Sequence, residues 1–230
     1  MSEQTVARLS NIEAVVFDFD GTLVHTDIDF AAMRRGILEH LRQWDLWEPE
    51  AEDSRYVLEI IAWAEERLQD EPDRQQQYRQ EAKKILHEVE LPHCERADPF
   101  PGVPEALQRL RAAGRKIGII TRNSRKGVAA VLCRHPLPYD ALLTRDDLSN
   151  VKPHQEHLQQ ALTALGVAAA RTLMVGDHAT DIQCGRAAGV RTCGVLTAKT
   201  TLQQFHELGA DFTFPDVPTL VETLLDEEPR

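Results

Sequence analysis

Short apolar runs rich in branched residues alternate with amphipathic stretches along most of the chain, and this alternation constrains the fold more than any other feature. The runs are AVVFDF (14–19), KIGIIT (116–121), ALLTRDD (141–147), TLMVGD (172–177) and VRTCGVLT (190–197). Strands separated by helical segments return to the same edge of a sheet, so the pattern predicts a parallel sheet covered by helices. In the first run Val15, Val16 and Phe17 are contiguous and apolar, as in a strand buried on both faces, which places it centrally.

Between the first run and the second the character changes. Residues 26–97 contain no convincing strand. Phe30, Met33, Ile37, Leu38 and Leu41 recur at helical spacing, as do Val57, Ile60, Ile61, Ala64 and Leu68, and then Tyr78, Ala82, Ile85 and Val89. Three helices are predicted, with Pro49 and Pro72 marking starts, since proline is tolerated in a first turn and breaks an interior. Pro99, Pro101 and Pro104 make the return non-helical until about Glu105. The predicted organisation is a core of residues 1–25 and 98–230 with an all-helical insertion of 26–97. At 230 residues, 42% hydrophobic and 27% charged, the chain can bury such a core.

A formal net charge of -11 argues against a surface that binds a phosphate backbone, so no nucleic-acid partner is expected. No eighteen consecutive residues are apolar, and MSEQTVARLSNIE lacks a basic region followed by an apolar one, so neither membrane nor export is expected. Cys94, Cys133, Cys184 and Cys193 form no C-x-x-C pair and read as reduced thiols of a cytoplasmic protein. The apolar positions are consumed by the core, which leaves the oligomeric state open.

Four places carry candidate chemistry, and each has a bland alternative. Asp18 and Asp20, two apart at a strand end, direct both carboxylates the same way. One can attack phosphorus while the other manages a proton; alternatively the pair ends in an ordinary Asp-Gly turn. Thr121 and Asn123 precede a helix beginning near Ser124 and could bind phosphate oxygens, or Asn123 or Ser124 could simply cap that helix. Lys152 before Pro153 offers a fixed ammonium, or a solvated loop. His154 and His157 read as surface residues at a helix start, without a role. Asp177 and Asp181 bring two more carboxylates to a strand end, a hard-oxygen set suited to Mg²⁺, although Asp181 could equally stabilise a helix N-terminus. All four lie at C-terminal strand ends, where open α/β sheets bind ligands. The carboxylates would repel a phosphate dianion unless a divalent cation and Lys152 offset them.

Taken in order, DFDGTL, ITRN, VKP and GDHATD resemble the four motifs of the haloacid dehalogenase-like hydrolase superfamily, and LGADFTFPDVPTL is similar to the last strand and helix of its phosphoglycolate phosphatase-like branch. The resemblance covers the whole chain. It implies a Rossmann-like, doubly wound α/β core with a helical type 1 cap after the first strand, one that opens and closes to select substrate. It implies a Mg²⁺-dependent phosphatase for a small phosphomonoester, phosphoglycolate-like as the single best choice. Asp18 would be the nucleophile that forms an aspartyl phosphate, Asp20 the general acid/base, and Thr121 and Lys152 the phosphate-stabilising groups. Asp177 would be the principal metal ligand, assisted by Asp181, by the Asp18 carboxylate and by the Asp20 backbone carbonyl. The cap is shorter than the four-helix form of related branches, so its substrate contacts are open; His25, Arg34, Arg35 and Arg55 are candidates. The alternatives are a phosphosugar mutase of the same superfamily and a non-catalytic phosphate-binding or interaction protein. Halide displacement is disfavoured because it needs no acid such as Asp20.

Overall fold

A computed structural model describes residues 9, 11–53 and 56–226. Their contacts divide into two units, Met1–Thr26 with Ala97–Arg230, and Asp27–Arg96. The first unit is built on strands β1 (Ala14–Phe17), β2 (Val24–His25), β3 (Asp98–Pro99), β4 (Lys116–Ile120), β5 (Ala141–Leu143), β6 (Thr172–Gly176), β7 (Arg191–Val195) and β8 (Phe212–Phe214). Six of them form a parallel sheet in the order β5-β4-β1-β6-β7-β8, as the alternation predicts. From β1 the chain moves outward through β4 and β5, then crosses back to β6 on the other side. The reversal makes the C-terminal ends of β1, β4 and β6 a switch point, where the covering helices diverge and leave a crevice.

Each strand stops a residue or more short of the apolar-plus-polar run that predicts it. β1 ends at Phe17 and β6 at Gly176, so Asp18 and Asp177 are the first residues beyond their strands. On one face Ala14, Val16, Ile120 and Met174 pack with Leu158, Ala161 and Leu165 of a helix over Gln155–Leu165 and Cys184 of another over Ala179–Ala187. A Cβ on Gly118 would lie 3.1 Å from Val16 and 3.2 Å from Leu165, so the glycine is what lets that helix sit close to the sheet. Val103–Ala112 and Val217–Asp226 pack together, and Val103–Ala112 also contacts β4. Val103–Ala112 begins two residues before the predicted start, with Pro104 in its first turn. β2 and β3 form a separate antiparallel ladder, Val24 opposite Pro99 and His25 opposite Asp98.

The second unit is helical: α1 (Phe30–Gln43), α2 (Glu50–Asp53), α3 (Val57–Arg67) and α4 (Pro72–Cys94). Pro72 opens α4 as expected, whereas Pro49 precedes the single turn α2 and the long second helix starts at Val57. In α4 the buried stripe is Tyr78, Ala82, Leu86 and Glu90, with Ile85 and Val89 beside it and only half-buried. Phe30, assigned to a core stripe by its spacing, is the exposed first residue of α1. His40 of α1 stacks on Tyr78 at 4.8 Å. Among the described residues no helix is long and apolar enough to cross a membrane.

Candidate active site

Asp18 follows β1 directly, and its backbone N–H donates to the Val175 carbonyl at 2.8 Å, which extends the register of β1 and β6 by one residue. The chain then folds back on itself, with Gly21 N–H to Val24 O at 2.8 Å and the N–H groups of Leu23 and Val24 both reaching Phe19 O. Gly21 has φ 84°, and a Cβ there would lie 2.6 Å from a carboxylate oxygen of Asp177. Only glycine meets both conditions. Gly176 is equally constrained, since a Cβ on it would collide with the Asp181 side chain.

Asp18, Asp177 and Asp181 are buried, and one oxygen from each lies within 4.8 Å of the others. The Lys152 ammonium is the cation set among them: it donates to Asp18 Oδ1 at 2.6 Å and to Asp181 Oδ1 at 2.7 Å. Lys152 is joined to Pro153 by a cis peptide bond. Desolvation opposes the charge on this ammonium, but Asp18 and Asp181 outweigh it and hold the group above its usual range. The carboxyls carry the opposite imbalance. Burial raises Asp18 and Asp181, Lys152 offsets part of that, and the neighbouring acid raises each again. Asp177 is pushed up to about 8 by burial, then by the charges of Asp18 and Asp181, while the Thr22 hydroxyl donates to its Oδ1 at 2.9 Å. Three buried carboxylates against one ammonium leave the cluster short of positive charge. Its donors are all hard oxygens, so the residues fit Mg²⁺ in both charge and type.

Asp181 stabilises a helix start, one of its two readings in the sequence, while its other oxygen stays in the acid cluster. Its Oδ1 accepts a hydrogen bond from the Lys152 ammonium, and its Oδ2 accepts from His178 N–H at 3.0 Å, half of a capping box for the helix Ala179–Ala187. In the helix after β4 the cap is Ser124, which accepts from Gly127 N–H at 3.1 Å at the start of Arg125–Arg134.

Asp20 is half-buried and is not one of the three clustered acids, although its charge adds to what raises Asp18. Its Oδ2 accepts from the Thr121 hydroxyl at 2.9 Å and its Oδ1 from the Asn123 amide at 2.8 Å. The two residues expected to face phosphate oxygens therefore hold a carboxylate here. His25 pairs with Asp98 in the β2–β3 ladder and meets Phe100 edge-on at 5.7 Å. Arg34 belongs to the helical unit, where it donates to the Glu52 carbonyl at 2.6 Å, and Arg35 lies 4.0 Å from Asp29. Arg55 is outside the described residues.

His157, read from the sequence as a surface residue, is fully buried. Its Nδ1 accepts from Lys152 N–H at 3.3 Å and its Nε2 lies 3.2 Å from Leu143 O, a carbonyl that also receives Thr121 N–H at 3.0 Å. It ties the Lys152 backbone to the end of β5. The apolar spacing of Leu158, Leu162 and Leu165 carried a signal for it, because residue 157 is one turn from Ala161 on the buried face. Thr22 had no comparable signal.

Residues 15–195 match the family described as haloacid dehalogenase-like hydrolase. Pyrophosphatase PpaX of Halalkalibacterium halodurans is 28% identical over 92% of this chain and 96% of its own length. Pyrophosphatase PpaX of a Bacillus cereus strain is 31% identical over 80% of this chain and 83% of its own. The crystal structure of a hydrolase from Pseudomonas syringae shares the fold with a TM-score of 0.67 at 20% identity, covering 94% of this chain and 99% of that one.

Proposed function

We infer the activity from a premise that the family match establishes: this chain belongs to the haloacid dehalogenase-like hydrolases. It is a phosphatase that moves a phosphoryl group from a small phosphorylated compound to the carboxylate of Asp18 and then to water. The observation that carries this reading is the Lys152 ammonium bridging Asp18 and Asp181, with Asp177 close enough to share one cation. Lys152 fixes one oxygen of Asp18, which leaves the other to attack phosphorus as the bond to the leaving oxygen breaks. Asp20 gives the departing oxygen its proton. Water then attacks the aspartyl phosphate, Asp20 takes the proton back, and inorganic phosphate leaves with the Asp18 carboxylate restored. Asp18, Asp177 and Asp181, with the Asp20 carbonyl, would hold Mg²⁺, which when bound supplies the positive charge that the three carboxylates lack.

The substrate class is a small phosphate compound of the phosphoglycolate type, and the pyrophosphatases among the relatives add inorganic pyrophosphate as a second choice. The helical unit Asp27–Arg96 takes the role of cap, since the chain enters and leaves it beside the β2–β3 ladder. His25 in that ladder and Arg34 in the unit are its candidate substrate contacts. Its free cysteines suit a reducing, cytoplasmic setting. The test is phosphate release with Mg²⁺ from phosphoglycolate, pyrophosphate, sugar phosphates and nucleoside monophosphates, run beside Asp18→Asn. Turnover should fall at least about 10³-fold in the variant. Full Mg²⁺-dependent activity in Asp18→Asn removes Asp18 as nucleophile, and an isomeric sugar phosphate without released phosphate replaces hydrolysis by mutase chemistry.

A further inference from the structure

The grip on Asp20 is shared by two donors that are not equivalent. A threonine hydroxyl has one hydrogen to give. Thr121 Oγ1 already accepts from Asn123 N–H at 2.9 Å, so its own hydrogen points to Asp20 Oδ2. To reach a bound phosphoryl oxygen, that hydroxyl must let go of Asp20. Asn123 is held differently. Its Oδ1 accepts from Ser124 N–H at 2.7 Å, an interaction only the carbonyl end of the amide can make, so Nδ2 is the end presented to Asp20. Its backbone carbonyl accepts from Arg145 N–H at 3.2 Å, and the residue is only 3% exposed, so water has little access to replace it.

From this division we propose that Asn123 is a positioning residue for the acid–base step: its amide keeps Asp20 oriented when the Thr121 hydroxyl turns from Asp20 to the phosphoryl group. The assignment rests on the phosphatase reading above and refines it, since Asn123 then serves the leaving oxygen through Asp20 and not the phosphate itself. A residue that merely supports the fold would slow all substrates alike. One that positions the acid slows those whose leaving group needs a proton.

The experiment compares kcat/KM for phenyl phosphate and 2,4-dinitrophenyl phosphate, with Mg²⁺, in the wild type, Asn123→Asp, Asn123→Ala and Thr121→Val. Phenolate is basic and needs the proton; dinitrophenolate leaves without it. Asn123→Asp keeps the acceptor for Ser124 N–H and replaces the donor to Asp20 by a second carboxyl, whereas Asn123→Ala removes the donor without adding charge. In both Asn123 variants the dinitrophenyl-to-phenyl ratio should rise by about tenfold to a hundredfold, a part of what general acid catalysis supplies. In Thr121→Val both substrates should fall with a ratio that changes less. Equal losses on the two substrates in both Asn123 variants, or none on phenyl phosphate, would overturn the assignment. A wild type that releases phosphate from neither aryl ester nor any metabolite overturns the phosphatase reading itself, a result distinct from the first.

Discussion

Lys152 is the residue on which the charge arrangement turns, because among the described residues it alone bridges two of the three clustered carboxylates. At 2% exposure it cannot be replaced by solvent. Lys152→Met keeps the stem and removes the charge, leaving Asp18 and Asp181 buried without a counter-ion. Removing one partner of a buried pair costs about 3–5 kcal/mol. Urea denaturation of the metal-free protein should show a loss of that size, and one below about 1 kcal/mol would mean that the acids find other compensation. His157 gives the second prediction. Burial, and then the nearby Lys152 charge, push its imidazole down to about 3. Its folded value lies below the unfolded one, so the unfolded chain binds the extra proton between the two and stability falls as pH drops below about 6.5. From pH 7 to 5 this single group should remove about 2 kcal/mol. His157→Gln, whose side-chain oxygen can still accept from Lys152 N–H, should show a correspondingly shallower pH dependence; equal slopes would refute the assignment. The residues that the sequence grouped by motif were legible because their chemistry is unusual at strand ends. Gly21, Gly176 and Thr22 were not, because what fixes them is a distance to Asp177 or Asp181 across more than one element.

Among the elements, strands were legible through contiguous apolar runs, and their ends were not. A carboxylate that follows an apolar run extends the pattern by eye, whereas the regular pairing of β1 and β6 ends at Phe17 and Gly176, although each neighbouring strand runs one residue further. In α4 the apolar spacing favoured Ile85 and Val89. Burial chose Leu86 and Glu90, because a stripe is set by which neighbours pack and not by hydrophobicity alone. Caps were legible as residue types and ambiguous as roles, since Ser124, Asp181 and Asn123 can each accept from a backbone N–H. The structure resolves this by using Ser124 as the cap, while Asn123 accepts from Ser124 N–H and turns its amide to Asp20. Ser124→Ala should therefore destabilise the protein by about 1 kcal/mol, the usual cost of a lost N-cap, by exposing Gly127 N–H without a partner. A change smaller than about 0.3 kcal/mol in denaturant midpoint converted to free energy would show that the helix Arg125–Arg134 does not depend on this cap.

At the scale of the molecule the surplus of negative charge has two separable parts. The chain carries a formal net charge of -11, so any salt that screens self-repulsion should stabilise it to some degree. The buried cluster of Asp18, Asp177 and Asp181 adds a local deficit that screening by mobile ions reaches poorly, because these side chains are largely withdrawn from bulk water. A divalent cation that binds only the folded form stabilises by mass action, about 2.7 kcal/mol at a hundred times its dissociation constant. MgCl₂ should thus raise the melting temperature beyond NaCl matched for ionic strength, and EDTA should reverse the excess. Asp177→Asn separates the two effects: it lightens the local deficit and removes a ligand, so the excess should disappear while the response to NaCl persists. If MgCl₂ and NaCl act alike on the wild type, the cluster holds no divalent ion, and Lys152 with protonated carboxyls must account for its stability unaided.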